Sequence, residues 1–306
     1  MTPPAHGITA RDVPQTRLDL ADWLATPATR QLLEERGERG ITDFLGVNAT
    51  SAELYYVNAD MTQVAHTAGQ DLDVFALTVD DLPSPSGLLV WEQPIDDGAP
   101  HWAPVAVMWL AHGTKFVVTL FVSAAGYTAW AKQWGPSGAA DSRSVQAGRL
   151  VMRGQTQTLP IDGRERPWDR MNLAHNDTAI RTLLATWLLI RQPADERTLH
   201  QVENVPAPKA VQRRLRQTRL NADAQVRLVT LRTSLRPDRP AAAGERGHAE
   251  KVYRHRWMVR LHRRTYSDKA SPSGQIKKWV GPYLAVPKGC EDAPILGTER
   301  VNVLRR

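Results

Sequence analysis

The sequence contains a single cysteine, Cys290. One cysteine excludes an internal disulfide and any zinc site built from several thiolates, and it favours a reducing, cytoplasmic setting. No run reaches 18 apolar residues, so we expect no membrane span. The first 15 residues lack the basic start and apolar stretch of a secretory signal, so we expect none there.

Motifs of the common catalytic and cofactor sites are missing as well. The chain has no GxxxxGK[ST] phosphate loop, no HExxH metal motif and no GxSxG nucleophile motif. His248, His255 and His262 recur every seven residues, but a strand would place His255 and His262 on opposite faces, which argues against a shared metal site. We therefore predict no cofactor and no metal.

The chain does contain enough apolar material for packed cores, because 42% of its 306 residues are hydrophobic. At about 100–200 residues per domain, this length predicts two domains. Three prolines between residues 193 and 208 indicate a linker near residue 206. We predict a loose, flexible tail over residues 1–15, an acidic α+β domain over residues 16–205 and a basic, β-rich domain over residues 207–306.

Charge is divided unequally between these two parts. Residues 1–206 hold 16 Lys and Arg against 24 Asp and Glu, whereas residues 207–306 hold 23 against 8. Such an asymmetry indicates an anionic partner for the basic part, with nucleic acid first and anionic lipid or an acidic protein next. An Arg-rich genome is the alternative explanation, which accounts for the number of arginines but not for their segregation.

Apolar periodicity predicts a mostly antiparallel sheet with several helices in the acidic domain. The run at 116–122 is nearly all apolar, which is typical of a central strand covered on both faces. The helix at 178–191 has an apolar stripe too wide for a surface helix, so we predict a core helix. The remaining predicted helices lie at 16–38, 60–69 and 124–134, and the remaining strands at 54–57, 88–93, 105–110 and 149–153.

The basic domain is predicted to hold one helix and about four antiparallel strands. The helix covers 209–220, and the strands cover 226–232, 253–266, 277–286 and 300–304. The overall fold class predicted from the sequence is therefore α+β.

The strand predicted at 253–266 is the most informative segment. Alternation along a strand separates its side chains onto two faces. One face is mostly apolar, whereas the other carries four arginines, a histidine and a tyrosine: Arg254, Arg256, Arg260, His262, Arg264 and Tyr266. Buried guanidinium groups need partners, so this face must meet water, carboxylates or phosphates.

Phosphate is the interpretation that we favour for the cationic face. Residues on one face of a strand repeat every 6.5–7 Å or so, similar to the spacing of phosphates along a nucleic-acid strand, and arginine binds phosphate in a bidentate manner. An internal cover by acids of residues 1–206, displaced when a partner binds, and simple solvation remain open alternatives. The predicted nucleic-acid-binding residues are Arg254, Arg256, Arg260, Arg264, Lys277 and Lys278, with Arg213, Arg214 and Arg216 on the basic helix.

Two other function classes remain open. A metal-independent ribonuclease could stabilise phosphorane charge with Arg260 and move protons with His262 or Tyr266. The third class is an interaction or assembly module for an acidic protein partner. No helix-turn-helix, RNA-recognition aromatic motif or zinc-finger spacing is present, so the sequence predicts no base specificity.

Four segments resemble uncharacterised proteins of actinobacteria and their phages or plasmids: LPSPSGLLVWEQPI (82–95), HRWMVRLHRR (255–264), WVGPYLAVPKG (279–289) and VNVLRR (301–306). Many of those proteins close with RWxVRxHxR, then W-[IV]-x-P-Y, then a basic VxVxRR. This sequence departs from the pattern at Leu261 and Gly281, where Gly and Ala are expected. The resemblance covers the last hundred residues and part of the middle. It implies a mobile-element or actinobacterial origin and no particular activity.

Overall fold

The computed structural model describes most of the chain outside several connecting segments and the two ends. Its residues are 6–35, 43, 45–46, 49, 51–98, 102–134, 146–173, 176–192, 200–218, 225–231, 256–268, 274–285 and 295–296. Six helices in these ranges are α1 (Val13–Ala25), α2 (Pro27–Glu35), α3 (Ala59–Gln70), α4 (Ala124–Trp134), α5 (Asp177–Ile190) and α6 (Lys209–Gln217).

Strands account for most of the remaining described backbone. The first eight are β1 (Glu53–Val57), β2 (Val74–Phe75), β3 (Ser86–Trp91), β4 (Pro104–His112), β5 (Lys115–Ser123), β6 (Gln146–Ala147), β7 (Leu150–Pro160) and β8 (Arg166–Pro167). The others are β9 (His200–Pro206), β10 (Gln225–Leu231), β11 (Arg256–Val259), β12 (His262–Ser267), β13 (Gln275–Val280), β14 (Tyr283–Ala285) and β15 (Ile295–Leu296).

Eight strands form the central sheet, in the order β6-β7-β5-β4-β3-β1-β10-β9. β1 pairs in parallel with both β3 and β10, and the other pairs are antiparallel. The mixed, mostly antiparallel sheet and the surrounding helices confirm the α+β class. Strands β3, β4 and β5 form the meander that the sequence predicts.

The central sheet separates two hydrophobic cores, because successive strand residues point to opposite faces. Tyr55 and Val57 face the core formed with α3 and α5, whereas Leu54 and Tyr56 face the core formed with α1. On β5, Phe116 and Phe121 lie in these two different cores. The prediction of a central strand covered on both faces is therefore confirmed.

Helix α5 is the core helix that the sequence predicts, and it packs closely on α3. Ile180, Leu183 and Trp187 have no exposed surface. The two helices approach each other closely at Gly69, where an added Cβ would lie 2.8 Å from the carbonyl carbon of Arg181. Only a residue without a side chain allows this contact.

The expectation of a loose tail is wrong for residues 6–15, while residues 1–5 lie outside the described residues. Ile8 and Val13 are fully buried in the core on the α1 side. The imidazole of His6 makes a 2.8 Å hydrogen bond with the carbonyl oxygen of Trp91. Two apolar side chains and one ring therefore attach this segment to the sheet, although its prolines indicated a loop.

The charge boundary near residue 206 does not coincide with a boundary in the sheet. β9 ends at Pro206, and β10 pairs with β9 along its whole length and with β1 on the other side. Val226 and Val229 are fully buried in the two cores. Strand β10 is thus built into the sheet of the acidic part, and it is parallel to β1 where the sequence predicts an antiparallel strand of a separate basic domain.

The strand predicted at 253–266 is interrupted at Arg260 and Leu261. β11 precedes the break and joins β14 and β15, whereas β12 follows it and pairs with β13. Leu261 turns into the core beside α5 and is 4% exposed. The two halves of the segment therefore belong to two different sheets and do not form one continuous strand. The strand predicted at 300–304 lies outside the described residues.

Gly281 makes the turn between β13 and β14. Its φ is +86°, a left-handed backbone conformation that favours glycine. An added Cβ would lie 2.9 Å from the carbonyl oxygen of Arg260. The glycine that departs from the actinobacterial pattern is therefore the residue that this turn requires here.

Candidate nucleic-acid interface

The β12–β13 hairpin carries half of the described residues that the sequence nominated, namely His262, Arg264, Tyr266, Lys277 and Lys278. In its antiparallel register, His262 lies opposite Val280, Arg264 opposite Lys278, and Tyr266 opposite Ile276. Directly opposite residues share a face, so these six side chains form one surface, which we call the outer face. Arg263, Thr265, Ser267, Gln275, Lys277 and Trp279 form the other, inner face.

The inner face attaches the hairpin to the rest of the molecule. The indole N–H of Trp279 donates a 2.8 Å hydrogen bond to the carbonyl oxygen of Ala76, and its ring packs on the core beside α5. Further along the strands, Thr265, Ser267 and Gln275 are exposed. The base of the hairpin is thus anchored, and its far half stands open to solvent on both faces.

Glu165 is the acidic group at this anchor. Its Oε1 accepts from Arg263 Nη1 at 2.7 Å and from Lys277 Nζ at 2.9 Å. The hydrogen bond from Lys277, with added attraction from Arg263, lowers the pKa of the Glu165 carboxyl. Lys277, which the sequence nominated for phosphate, therefore lies on the inner face and pairs with a carboxylate of the acidic part.

On the outer face, each pair of directly opposite residues forms a rung. The cationic rung, Arg264 with Lys278, lies next to an apolar rung, Tyr266 with Ile276. Arg264 and Lys278 are exposed and lie directly opposite each other. Within the described segments, neither forms an ion pair with a carboxylate. The Arg264 guanidinium instead lies 5.6 Å from the centre of the Tyr266 ring.

Arg260 and His262 lie where the hairpin begins. Arg260 Nη1 is 3.2 Å from a carboxylate oxygen of Asp71, just after α3, and its side chain is still 55% exposed. His262 is exposed, and its Nδ1 lies 2.9 Å from the carbonyl oxygen of Arg260. The internal acidic cover that the sequence left open is therefore present at Arg260 and absent, in the described part of the chain, at Arg264.

The geometry gives the ribonuclease hypothesis little support. His262 and Tyr266 are four residues apart on one strand, about 13 Å at 3.3 Å per residue. That distance is too long for both side chains to act on one scissile phosphate. Arg260 is also held by Asp71, so the three nominated residues do not converge.

Helix α6 places the other nominated arginines on the opposite side of the central sheet. Its Leu215 is fully buried against Leu18 of α1, whereas the hairpin packs on the side of α3 and α5. Arg213 and Arg216 are exposed, and Arg214 pairs with Asp22 at 2.5 Å. The nominated cations all follow residue 207 in the sequence, but in the structure those of α6 and those of the hairpin lie on two separate surfaces.

Two further nominated residues lie at the edge of what the structure describes. Arg254 is outside the described residues. Arg256 is the first residue of β11, and only its backbone is described. The outer face is therefore described without these two residues.

Sequence reasoning missed three residues of this region. Arg263 was assigned no role, although it is one of the two cations that bind Glu165. Glu165 itself is an isolated acid in the sequence, and no local pattern connects it to a hairpin about a hundred residues later. Ile276 could have been found, because it completes the alternation with Lys278 and Val280 along β13.

Within the described segments, no helix combines the length and apolar character required to cross a bilayer. The same segments contain no cluster of three or more His, Cys, Asp or Glu side chains arranged to hold a metal ion. Cys290 is outside them.

Comparison with known proteins adds no relative to this picture. No protein-family model matches the chain, and neither the curated proteins nor the solved structures contain a match. The resemblance to actinobacterial and phage proteins therefore stays a prediction that rests on its four sequence segments.

Proposed function

We propose that this protein binds nucleic acid through the outer face of the β12–β13 hairpin, with phosphates contacting Arg264 and Lys278. One contrast carries the proposal. The acidic part of the chain supplies carboxylates to several other cations of the C-terminal third, namely Arg214, Arg227, Arg260, Arg263 and Lys277. Arg264 and Lys278 share a rung of the same hairpin and receive none from the described residues.

The chemistry of the rung suits a phosphate backbone. Arg264 offers a planar fork of N–H donors, and Lys278 offers a compact ammonium group. The Cβ atoms of two directly opposite residues are about 5 Å apart. Two cations at this separation can contact one phosphate or two successive phosphates of a strand. Neutralising them releases counterions from the nucleic acid, which favours binding at low salt.

The biological role that we propose is that of an accessory or regulatory protein of a mobile element. This role follows the sequence resemblance and the predicted cytoplasmic setting. It requires binding to the backbone and no cleavage, which agrees with the separation of His262, Tyr266 and the paired Arg260 along the hairpin.

A salt titration with paired variants tests the proposal. Labelled DNA and RNA are titrated by fluorescence anisotropy between about 50 and 200 mM salt. We expect the wild-type affinity to fall steeply with salt. The double variant R264Q/K278Q should bind about tenfold more weakly or worse, and its salt slope should be smaller by roughly 1 to 2.

The matched control is R213Q/R216Q, which removes the same charge from exposed positions of α6 on the other side of the sheet. This control should keep at least most of the wild-type affinity. Equal losses in both double variants would mean that only the net charge matters. Binding that is indifferent to salt, or capture of acidic proteins without any nucleic acid, would contradict the proposal.

A further inference from the structure

The outer face presents an exposed apolar pair next to its cationic rung. Of the large hydrophobic side chains in the described segments, four are exposed, and Tyr266 at 40% and Ile276 at 37% are two of them. They lie directly opposite each other on the hairpin. Two exposed apolar groups at one rung are unfavourable in water alone, so a partner that covers them would lower the free energy.

The pair and the rung together have the dimensions of a nucleotide. Tyr266 is two residues from Arg264 on the same face, a separation of about 6.5–7 Å. The guanidinium lies 5.6 Å from the centre of the Tyr266 ring, so positive charge and an aromatic surface adjoin. A base stacked on the ring would keep its own phosphate within reach of Arg264 or Lys278.

An aromatic platform of this kind selects unpaired bases. In a duplex, the faces of the bases are already covered by their neighbours, whereas in a single strand they can stack on a side chain. The cations of the inner face are committed to Glu165, which leaves one cationic rung in the described hairpin. One rung matches the charge of one strand better than the dense phosphates on both strands of a duplex.

We infer that the outer face binds single-stranded nucleic acid, with a base stacked on Tyr266 against Ile276 and the adjoining phosphate on Arg264 and Lys278. This inference rests on the proposed function and specifies its ligand. Stacking uses the face of any base, so both single-stranded DNA and single-stranded RNA satisfy this chemistry.

The test separates base stacking from phosphate binding. Full-length wild-type protein, Y266L and Y266F are titrated with short oligothymidylate, with oligouridylate, with a duplex of equal length and with an oligodeoxynucleotide of abasic sites. Tyr266 is exposed, so these variants should fold, and thermal unfolding of each verifies this. Y266F keeps the ring and serves as the matched control.

We expect tighter binding of the single strands than of the duplex. Y266L should weaken single-strand binding by roughly 5- to 150-fold, the range of one base–aromatic stack, whereas Y266F should stay within about twofold of the wild type. The wild type should bind the abasic strand as weakly as Y266L binds oligothymidylate. The Y266L substitution should not weaken binding of the abasic strand any further.

Three results would overturn the inference while leaving the proposed function in place, provided that R264Q/K278Q is still impaired. The first is a duplex bound at least as tightly as the single strands. The second is an unchanged affinity in Y266L, and the third is an abasic strand bound as well as oligothymidylate. Failure of the proposed function itself gives a different result, which is that none of the four probes binds in a salt-dependent manner.

Discussion

His200 is a buried base on the edge strand β9. It is 7% exposed, and its Nδ1 has no hydrogen-bond partner among the described residues. Burial lowers the pKa of His200 from 6.5 to about 4, because the charged imidazole cannot be solvated there. Burial also lowers the pKa of His6, which contacts the same sheet at Trp91.

These histidines predict a loss of stability in mild acid. The unfolded chain takes up the proton near pH 6.5, whereas folded His200 takes it up only near pH 4. Its stabilising contribution is therefore complete above about pH 6.5 and is lost as the pH falls towards 4, by up to about 3 kcal/mol. Denaturant unfolding at a series of pH values measures this loss.

The matched variants identify the residue responsible. H200L should flatten the dependence of the unfolding free energy on pH between about 6.5 and 4, because the titrating group is gone. The exposed His112 provides the control, and H112Q should keep the wild-type slope. An H200L protein with an undiminished slope would rule out His200 as the source.

At the scale of elements, the contact of α3 with α5 depends on Gly69. An added methyl group would lie within 2.9 Å of the backbone oxygen and nitrogen of Arg181 and Thr182. Replacing a helical glycine by alanine normally stabilises a helix by up to about 1 kcal/mol. Here we expect G69A to destabilise the protein by about 1–3 kcal/mol, because the two backbones must separate. Q63A, at an exposed position of the same helix, is the control, and denaturant unfolding measures both.

The hairpin attachment gives a second prediction for an element. E165Q should loosen the β12–β13 hairpin, because Arg263 and Lys277 lose the carboxylate that they share. The ion pair is partly exposed, so the global unfolding free energy should change by less than about 1 kcal/mol. Faster amide hydrogen exchange in the hairpin is the expected result, and D169N, at an exposed position just after β8, is the control.

Acid should have the same effect as the substitution. Lys277 and Arg263 lower the pKa of Glu165 in the folded protein. The attachment is therefore complete above the ordinary pKa of 4.5 and weakens as the pH falls below that value. Exchange rates in the hairpin that are identical for wild type and E165Q at neutral pH would show that Glu165 does not hold it.

At the scale of the whole molecule, β10 joins the basic third of the chain to the acidic part. A fragment of residues 1–206 lacks β10, so the edge of β1 that pairs with β10 would be unpaired and β9 would lose its partner. We expect this fragment to lack a cooperative unfolding transition, and a fragment of residues 1–231 to regain one. Thermal unfolding and limited proteolysis compare the two. Equal cooperativity of both fragments would restore a domain boundary at residue 206.

The same scale explains why the charge pattern was an incomplete guide. A count of Lys and Arg after residue 207 cannot tell which side of the sheet each residue reaches. Leu215 directs α6 towards α1, and Trp279 directs the hairpin towards α3 and α5. Acids distant in sequence, such as Asp22, Asp71 and Glu165, then pair with selected cations.

Local patterns alone determined the α+β class, the core helix α5, the meander β3–β4–β5 and the shared face of His262, Arg264 and Tyr266. These features depend on side-chain periodicity within single elements, which the sequence records directly. Only the tertiary structure decided that β10 lies parallel to β1 and that the basic strand is interrupted at Arg260 and Leu261. It also decided that Glu165 pairs with Lys277 and not with Arg264. Those outcomes depend on contacts between distant segments, where burial and charge pairing select among partners that no local pattern distinguishes.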